Sequence, residues 1–367
     1  MAELLDLTER RPSLTVGVDV SPAYDLLLAL WALEEDDLDT FELGPEWFSS
    51  VREAMSADLV GEIEELSSAH GATWIVLLGL VSQAPEPKDM DGFLAWLGEA
   101  DGIAIRRSLL ALKCHDLPES QLDAAAAGDV EALERTLRSP SLADREAWRS
   151  NLASLFETSP AALGPRFASA LRRFRDEAFS HAEKEFSLPT ERDAAAKAAL
   201  IPTTSPSGII EIATNGVEHQ LPSHVTTLLL VPSVVVRPWS LLVEHDTTYI
   251  LCYPVADESM SAEPDSPPQW LVKTYKALAD DRRLRILHRL SSREATLQEL
   301  AEHLGVAKST IHHHMALLRA AGLVRVRVGG AKDQSSYGIR REALPESMRL
   351  MDVYLASAKP IEEAETP

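Results

Sequence analysis

The sequence predicts a mainly α-helical fold with small β parts, and three observations predict it. Apolar residues recur at helical spacing from residue 21 to about residue 200. Short apolar runs bounded by turn residues follow Pro202. Near the carboxyl end, two helical stretches flank Gly305 and precede an alternating run of valine and arginine. We therefore expect a helical domain, a small antiparallel sheet, and a C-terminal helix-turn-helix with a β wing.

These composition changes divide the chain into five predicted segments. They are a helical domain at residues 1–200, a small antiparallel β region packed on it at 201–256, a linker at 257–268, a winged helix-turn-helix domain at 269–358, and a disordered tail at 359–367. The linker is assigned because its twelve residues include three prolines, three serines and four acidic residues.

The first helix is predicted to start at Ser21 and Pro22, a favourable pair for a helix N-terminus, and Leu27, Leu28 and Trp31 follow on one face. In the β region, Asn215-Gly216 is a strong hairpin signal between predicted strands at 208–213 and 217–221. Further strands are predicted at residues 225–231, 234–236, 239–243 and 248–253.

The helix-turn-helix is the most specific pattern in the chain. Leu297, Leu300, Ala301 and Leu304 form one apolar face of a first helix, and Gly305 lies where a chain leaving a helix often turns left-handed. A second helix follows, with Ser309 or Thr310 as candidate caps and Ile311, Met315 and Leu318 as its buried stripe. This spacing is typical of a module that places one helix in the major groove of DNA.

A basic two-stranded wing is predicted after the second helix. Residues 323–328 alternate strictly between apolar and basic, so Arg325 and Arg327 share one face of a strand, and residues 335–340 return as its partner. The predicted DNA-binding residues are Lys308, Ser309, Thr310, His312, His313, Arg319, Arg325, Arg327 and Lys332.

The charge distribution supports this prediction. The whole chain has a net charge of −22. Residues 270–342 contain 14 Lys and Arg against 7 Asp and Glu, a net of +7, and residues 1–269 contain 19 against 45, a net of −26. A basic module in an otherwise acidic chain is typical of a surface that binds a polyanion such as nucleic acid.

Residues 276–287, residues 309–324 and the basic hairpin together resemble the ArsR family of bacterial winged-helix repressors. The resemblance covers about 90 C-terminal residues. It implies a homodimer that reads an inverted repeat in double-stranded DNA and pairs through its first and last helices. The dimerisation residues would be Leu344, Met348, Met351 and Leu355, an apolar stripe on the last helix.

Metal sensing, which many members of that family perform, is not expected here. The first helix of the motif has no cysteine, and the last helix has neither a histidine nor a spaced acidic pair. The region before the linker resembles an uncharacterised N-terminal domain of actinobacterial-type regulators, through residues 21–28 and 229–233. That resemblance implies no ligand.

Composition limits the other possibilities. Cys114 and Cys252 are too few and too far apart for a disulfide framework, which favours a reducing cytoplasm. No apolar run approaches the roughly 20 residues of a membrane span.

Two residue pairs could carry chemistry. His181 and Glu185 at i and i+4 could bind a metal, and His115 beside Cys114 could assist a thiolate, but structural roles are favoured for both pairs.

We therefore expect a cytoplasmic, dimeric DNA-binding transcriptional regulator, a repressor, with no enzymatic activity and no cofactor. Its N-terminal domain would sense a signal, for example an unknown small-molecule effector, or set the oligomeric state. Two alternatives stay open. One is an enzyme acting on a small molecule, which requires a pocket with convergent titratable groups in residues 1–256. The other is a protein-interaction module, which the basic charge of residues 270–342 disfavours.

Overall fold

The computed structural model describes residues 14–35, 38–67, 72–111, 117–138, 152–153, 155–219, 221–260, 269–328, 335–341 and 343–356. Contacts divide the chain into two compact units. The first comprises Met1–Ile201 and Pro222–Val255, and the second comprises Pro202–Leu221 and Ala256–Pro367. Residues 202–221 thus belong with the C-terminal unit, and not with the β region predicted at 201–256.

The fold class is confirmed as mainly helical with small sheets. In the first unit the helices are α1 (Pro22–Ala32), α2 (Gly44–Ala54), α3 (Ala57–Leu66), α4 (Ala72–Gln83), α5 (Met90–Glu99), α6 (Gly102–Ala111), α7 (Glu119–Ala127), α8 (Val130–Leu137), α9 (Pro160–Phe174) and α10 (Ser180–Leu200). In the second unit they are α11 (Pro206–Ala213), α12 (Asp257–Met260), α13 (Gln269–Leu278), α14 (Asp281–Ser292), α15 (Leu297–Leu304), α16 (Lys308–Ala320) and α17 (Ala343–Ala356). The strands are β1 (Thr15–Val18), β2 (Val217–His219), β3 (Thr227–Ser233), β4 (Leu241–His245), β5 (Thr248–Pro254), β6 (Val324–Val328) and β7 (Ser336–Ile339).

The sheet of the first unit is mixed, with strand order β1-β3-β5-β4. β1, β3 and β5 run parallel, and only β4 is antiparallel, to β5. The predicted antiparallel arrangement therefore holds for the β4–β5 pair but is wrong for β3, which pairs in parallel with β5 and with β1, a strand that was not predicted. The physical reason lies in β3, whose Leu228, Leu230 and Val231 are buried. A strand with both faces covered is typical of a parallel sheet. The sheet packs on α1, α4 and α10.

Residues 234–236, predicted as a strand, form a turn. The buried carboxylate of Asp25 on α1 accepts hydrogen bonds from the Ser233 hydroxyl and from the backbone N–H groups of Val234 and Val235, at 3.4 and 3.3 Å for the latter two. Burial raises the pKa of Asp25 to about 6, while these bonds act in the opposite direction. The valines favour a strand locally. The Asp25 carboxylate instead accepts hydrogen bonds from their backbone N–H groups, and this stabilises a turn.

Residues 208–213, also predicted as a strand, lie in helix α11. The Ser205 side chain caps this helix by accepting from the Gly208 N–H at 3.1 Å, and Pro206 occupies its first turn. Asn215 and Gly216 have positive φ angles of 55° and 106° and follow the end of α11, so they do not form the predicted hairpin. The strand after them, β2, pairs in parallel with β6.

The second unit contains the winged helix. Its core lies between α14, α15, α16 and β6, and its buried members are Ala277, Ile286, Leu287, Leu290, Ala295, Leu300, Ala301, Ile311, Met315, Leu318, Ala321, Leu323 and Val324. The predicted linker is helical at Asp257–Met260, where the Asp257 carboxylate binds Lys273 Nζ at 2.8 Å. Residues 261–268 and the predicted tail at 359–367 lie outside the described residues.

Candidate nucleic-acid interface

The turn between α15 and α16 has the predicted geometry. Thr296 and Glu299 form a capping box: the Thr296 side chain accepts from the Glu299 N–H at 3.2 Å, and the Glu299 carboxylate accepts from the Thr296 N–H at 2.8 Å. Gly305 ends α15 with φ 69°, which confirms the predicted left-handed turn. Residues at its own two ends thus determine where α15 begins and where it ends.

Helix α16 presents a polar patch at its start. Ile311, Met315 and Leu318 are buried in the core, as predicted from their spacing. Lys308, Ser309, His312 and His313 are exposed, and Thr310 is half-buried. These five side chains were predicted to contact DNA, and helical geometry places them along the first two turns of one helix. We call this set the α16 patch.

The predicted cap of α16 is wrong. Ala307 is the N-cap residue, and no side chain, including those of Ser309 and Thr310, caps the helix by a hydrogen bond. The reason is position: Ser309 and Thr310 lie inside the first turn, beyond the point where a side chain can reach back to the first N–H groups. The positive end of the helix dipole therefore lies beside the α16 patch, which favours an anion there.

Two polar residues of α16 lie away from this patch. His314 is buried, and burial lowers its pKa, an effect that the nearby Asp280 carboxylate opposes. Arg319 is half-buried, and desolvation lowers the pKa of its guanidinium to about 10. The structure therefore separates Arg319 from the other predicted DNA-binding residues of this helix, because it lies in the last turn and its desolvated guanidinium is close to Tyr337 of β7.

The wing arginines are paired with carboxylates of the same unit. Arg325 Nη1 donates to Glu218 Oε1 at 3.1 Å, and Arg327 donates to Glu218 Oε2 through Nε at 3.1 Å and Nη2 at 3.0 Å. Arg327 Nη1 also donates to Glu294 Oε2 at 3.1 Å. The hydrogen bonds from Arg325 and Arg327 lower the pKa of Glu218, and the positive charges of the two arginines act in the same direction. The structure thus confirms that Arg325 and Arg327 share one face, but it occupies both with internal ion pairs.

Sequence reasoning missed the partners of the wing. Glu218 and Asn215 belong to a segment assigned to another domain, and Asn215 Oδ1 accepts from Arg340 Nη1 at 2.9 Å. Their separation from the wing, 107 residues between Glu218 and Arg325, leaves no local pattern that could have revealed the contact. Lys332, the remaining predicted wing residue, lies outside the described residues.

The predicted dimerisation helix carries an exposed apolar surface. A groove of about 370 Å³ lies between α13 and α17, and it is lined by Leu271, Val272, Tyr275, Lys276, Ala279, Met351 and Tyr354. Met348 is 65% exposed and Leu355 62% exposed. Leu344 differs from them, because it packs against the winged-helix core. Three of the four predicted residues therefore remain available to a partner surface.

The first unit contains a small cavity of about 40 Å³, whose lining includes Asp25, Glu183 and Glu191. Each of these carboxylates already has an internal partner: Ser233 for Asp25, Arg175 for Glu183 and Ser187 for Glu191. His181 and Glu185 are exposed and 3.9 Å apart, and the Cys114–His115 pair lies outside the described residues.

No helix in the described part of the chain is both long and apolar enough to span a membrane. Nor do three or more His, Cys, Asp or Glu side chains come together there in a way that could hold a metal ion.

The fold and the exposed helix define a winged helix-turn-helix domain. A family profile described as "Bacterial regulatory protein, arsR family" matches residues 280–326, so this segment is an arsR-type helix-turn-helix, as the resemblance implied. Over 75 residues the chain is 37% identical to the HTH-type transcriptional regulator KmtR of Mycobacterium tuberculosis (strain ATCC 25618 / H37Rv). The match covers 20% of this chain and 58% of KmtR.

Two solved structures also match this part of the chain. HlyU from Vibrio cholerae N16961 is 30% identical, with a TM-score of 0.19, and the match covers 24% of this chain and 94% of HlyU. The transcriptional regulator HlyU from Vibrio vulnificus CMCP6 is 31% identical, with a TM-score of 0.18, and the match covers 23% and 85%. The domain assignment rests on the sequence match. The resemblance of the preceding region to an uncharacterised domain stays a prediction.

Proposed function

We propose that this protein is a sequence-specific DNA-binding transcriptional regulator, a repressor of the arsR type, which binds an inverted-repeat operator as a homodimer. The observation that carries the proposal is the α16 patch: Lys308, Ser309, His312 and His313 are exposed together at the start of the second helix of an arsR-type motif. In such motifs the N-terminal residues of this helix contact base edges. The first unit then serves signal sensing or oligomerisation.

The chemistry of the α16 patch suits this role. The Lys308 ammonium supplies a positive charge for a phosphate, and the hydroxyl and imidazole groups of Ser309, Thr310 and His312 can donate and accept hydrogen bonds at base edges. The α16 patch is held in place by the opposite face of the helix, where Ile311 and Leu318 are fully buried in the core. A buried stripe on one face holds the polar groups of the opposite face at fixed positions.

The homodimer follows from the groove on α13 and α17. Met348 and Leu355 expose apolar side chains, and the neighbouring groove is lined by Leu271, Met351 and Tyr354. An apolar surface of this kind marks an interaction site. A second copy of the chain is its proposed occupant, and two-fold symmetry would present two α16 patches to two half-sites.

The test begins with selection of bound sequences from genomic DNA fragments and continues with anisotropy titrations at several salt concentrations. We expect His312→Ala to weaken binding to the selected operator by about 1–3 kcal/mol while leaving non-specific binding nearly unchanged. We expect Lys308→Ala to weaken binding to every sequence and to reduce the salt slope by about 1. The matched control is His288→Ala, an exposed histidine on α14. Wild-type protein that selects no sequence would refute the proposal.

A further inference from the structure

Strand β2 lies along the edge of the wing, and it comes from outside the arsR-type motif. It pairs in parallel with β6, so the wing sheet has the order β2-β6-β7. The register places Glu218 beside Arg327. The Val326 N–H donates to the Gly216 carbonyl at 3.0 Å. The segment that precedes the helix-turn-helix by about 80 residues is thus an integral part of the wing sheet.

Glu218 occupies the same donors that a phosphate would use. Its two carboxylate oxygens accept from Arg325 Nη1 and from Arg327 Nε and Nη2 at 3.0–3.1 Å. Carboxylate and phosphate oxygens bind guanidinium groups in the same bidentate manner. With Glu294 on the remaining Arg327 nitrogen, these four side chains carry two positive and two negative charges.

The pairing is built to be reversible. Arg327 is 50% exposed and Glu218 32% exposed, and ion pairs of such exposure contribute little to stability. Strand β2 has only three residues, which limits the number of its ladder hydrogen bonds. The residues just before β2 are held by further bonds, because Asn215 accepts from Arg340 and donates to the Arg319 carbonyl at 3.4 Å. Glu218 therefore remains close to the wing even when its ion pairs break.

We propose that β2 is a built-in competitor of DNA, and that Glu218 and a phosphodiester bind the same two arginines, one excluding the other. This inference rests on the proposed function. The segment of residues 202–221 leaves the first unit and returns to it, so it is tethered at both ends to that unit. A structural change in the first unit can therefore act on β2 along the chain, and it would adjust DNA affinity without touching the α16 patch.

The principal test replaces Glu218 by glutamine in the full chain. The change removes the charge and keeps the size, so we expect Glu218→Gln to bind duplex DNA on the order of fivefold more tightly at 0.1 M salt, with a salt slope steeper by about 1. The matched control, Glu211→Gln, removes the same charge from α11 of the same segment and should leave the slope unchanged. Adding Arg325→Ala and Arg327→Ala to Glu218→Gln should abolish the gain.

A second measurement uses the unaltered protein. Hydrogen exchange of residues 217–219 should accelerate on addition of saturating duplex DNA, because β2 loses its ion pairs and opens more often when phosphate binds the arginines, while Asn215 keeps the segment near the wing.

The outcomes separate the two proposals. If neither the wild type nor Glu218→Gln binds any duplex, the proposed function fails. If the wild type binds DNA but Glu218→Gln binds equally or more weakly, and exchange at β2 does not rise, the competitor proposal is overturned while the proposed function stands. Glu218 would in that case position the arginines for DNA.

Discussion

Gly322 is the position at which one added methyl group should test the second unit most sharply. It has φ 64°, and a Cβ there would lie 2.9 Å from Asn215 Oδ1 and 3.1 Å from Asn215 Nδ2. Gly305 has a similar φ of 69°, but a Cβ there would meet nothing within 4 Å. The two glycines therefore separate backbone strain from steric overlap.

The expected magnitudes follow from these geometries. An alanine in the left-handed region costs about 1–2 kcal/mol, which is the whole effect expected for Gly305→Ala. Gly322→Ala must in addition displace Asn215, which breaks its bonds to Arg340 and to the Arg319 carbonyl. At about 1 kcal/mol for each of the two hydrogen bonds, added to the strain of about 1–2 kcal/mol, the loss at Gly322 should be about 3–4 kcal/mol.

Hydrogen exchange measured by mass spectrometry on the full chain is the appropriate assay, because it reports the opening free energy of α16 separately from that of the first unit. A single unfolding midpoint would mix the two units. Asn215→Ala supplies the control: it removes the overlapping atoms, so in that background Gly322→Ala should cost no more than Gly305→Ala. Equal losses for the two glycine substitutions in the wild-type background would refute the reasoning.

Two further predictions concern the dimer and pH. Met351→Lys places a charge in the groove of α13 and α17, so we expect this variant to be a monomer in sedimentation velocity where the wild type is a dimer. The control, Asp352→Asn on the exposed side of α17, should remain a dimer. A dimer in both variants would exclude this interface. Burial lowers the pKa of His314, so the folded state favours the neutral imidazole. The stability that depends on a neutral His314 is therefore fully present above pH 6.5, the ordinary pKa of histidine, and is lost as the pH falls below that value. Hydrogen exchange of α16, with intrinsic rates corrected for pH, should therefore show a smaller loss of opening free energy between pH 7.5 and 5.5 in His314→Met than in the wild type, and an equal loss would contradict the assignment.

The sequence by itself determined those parts of the protein that depend on neighbours within one or two helical turns. Gly305, the apolar stripe of α16 and the exposed Lys308 and His312 could all be read from spacing, because helix periodicity and left-handed glycine are local properties. The Ser21 cap of α1, whose side chain accepts from the Ala23 N–H at 3.2 Å, is of the same kind.

Only the tertiary structure decided the contacts between distant segments. Residues 234–236 favour a strand locally, yet Asp25, more than 200 residues away, holds them as a turn. Arg325 and Arg327 were predicted correctly as one face of a strand, but Glu218 that pairs with them lies in a segment assigned to another domain. Pairing energies between strands and between charges depend on distance in space, and sequence separation does not encode that distance.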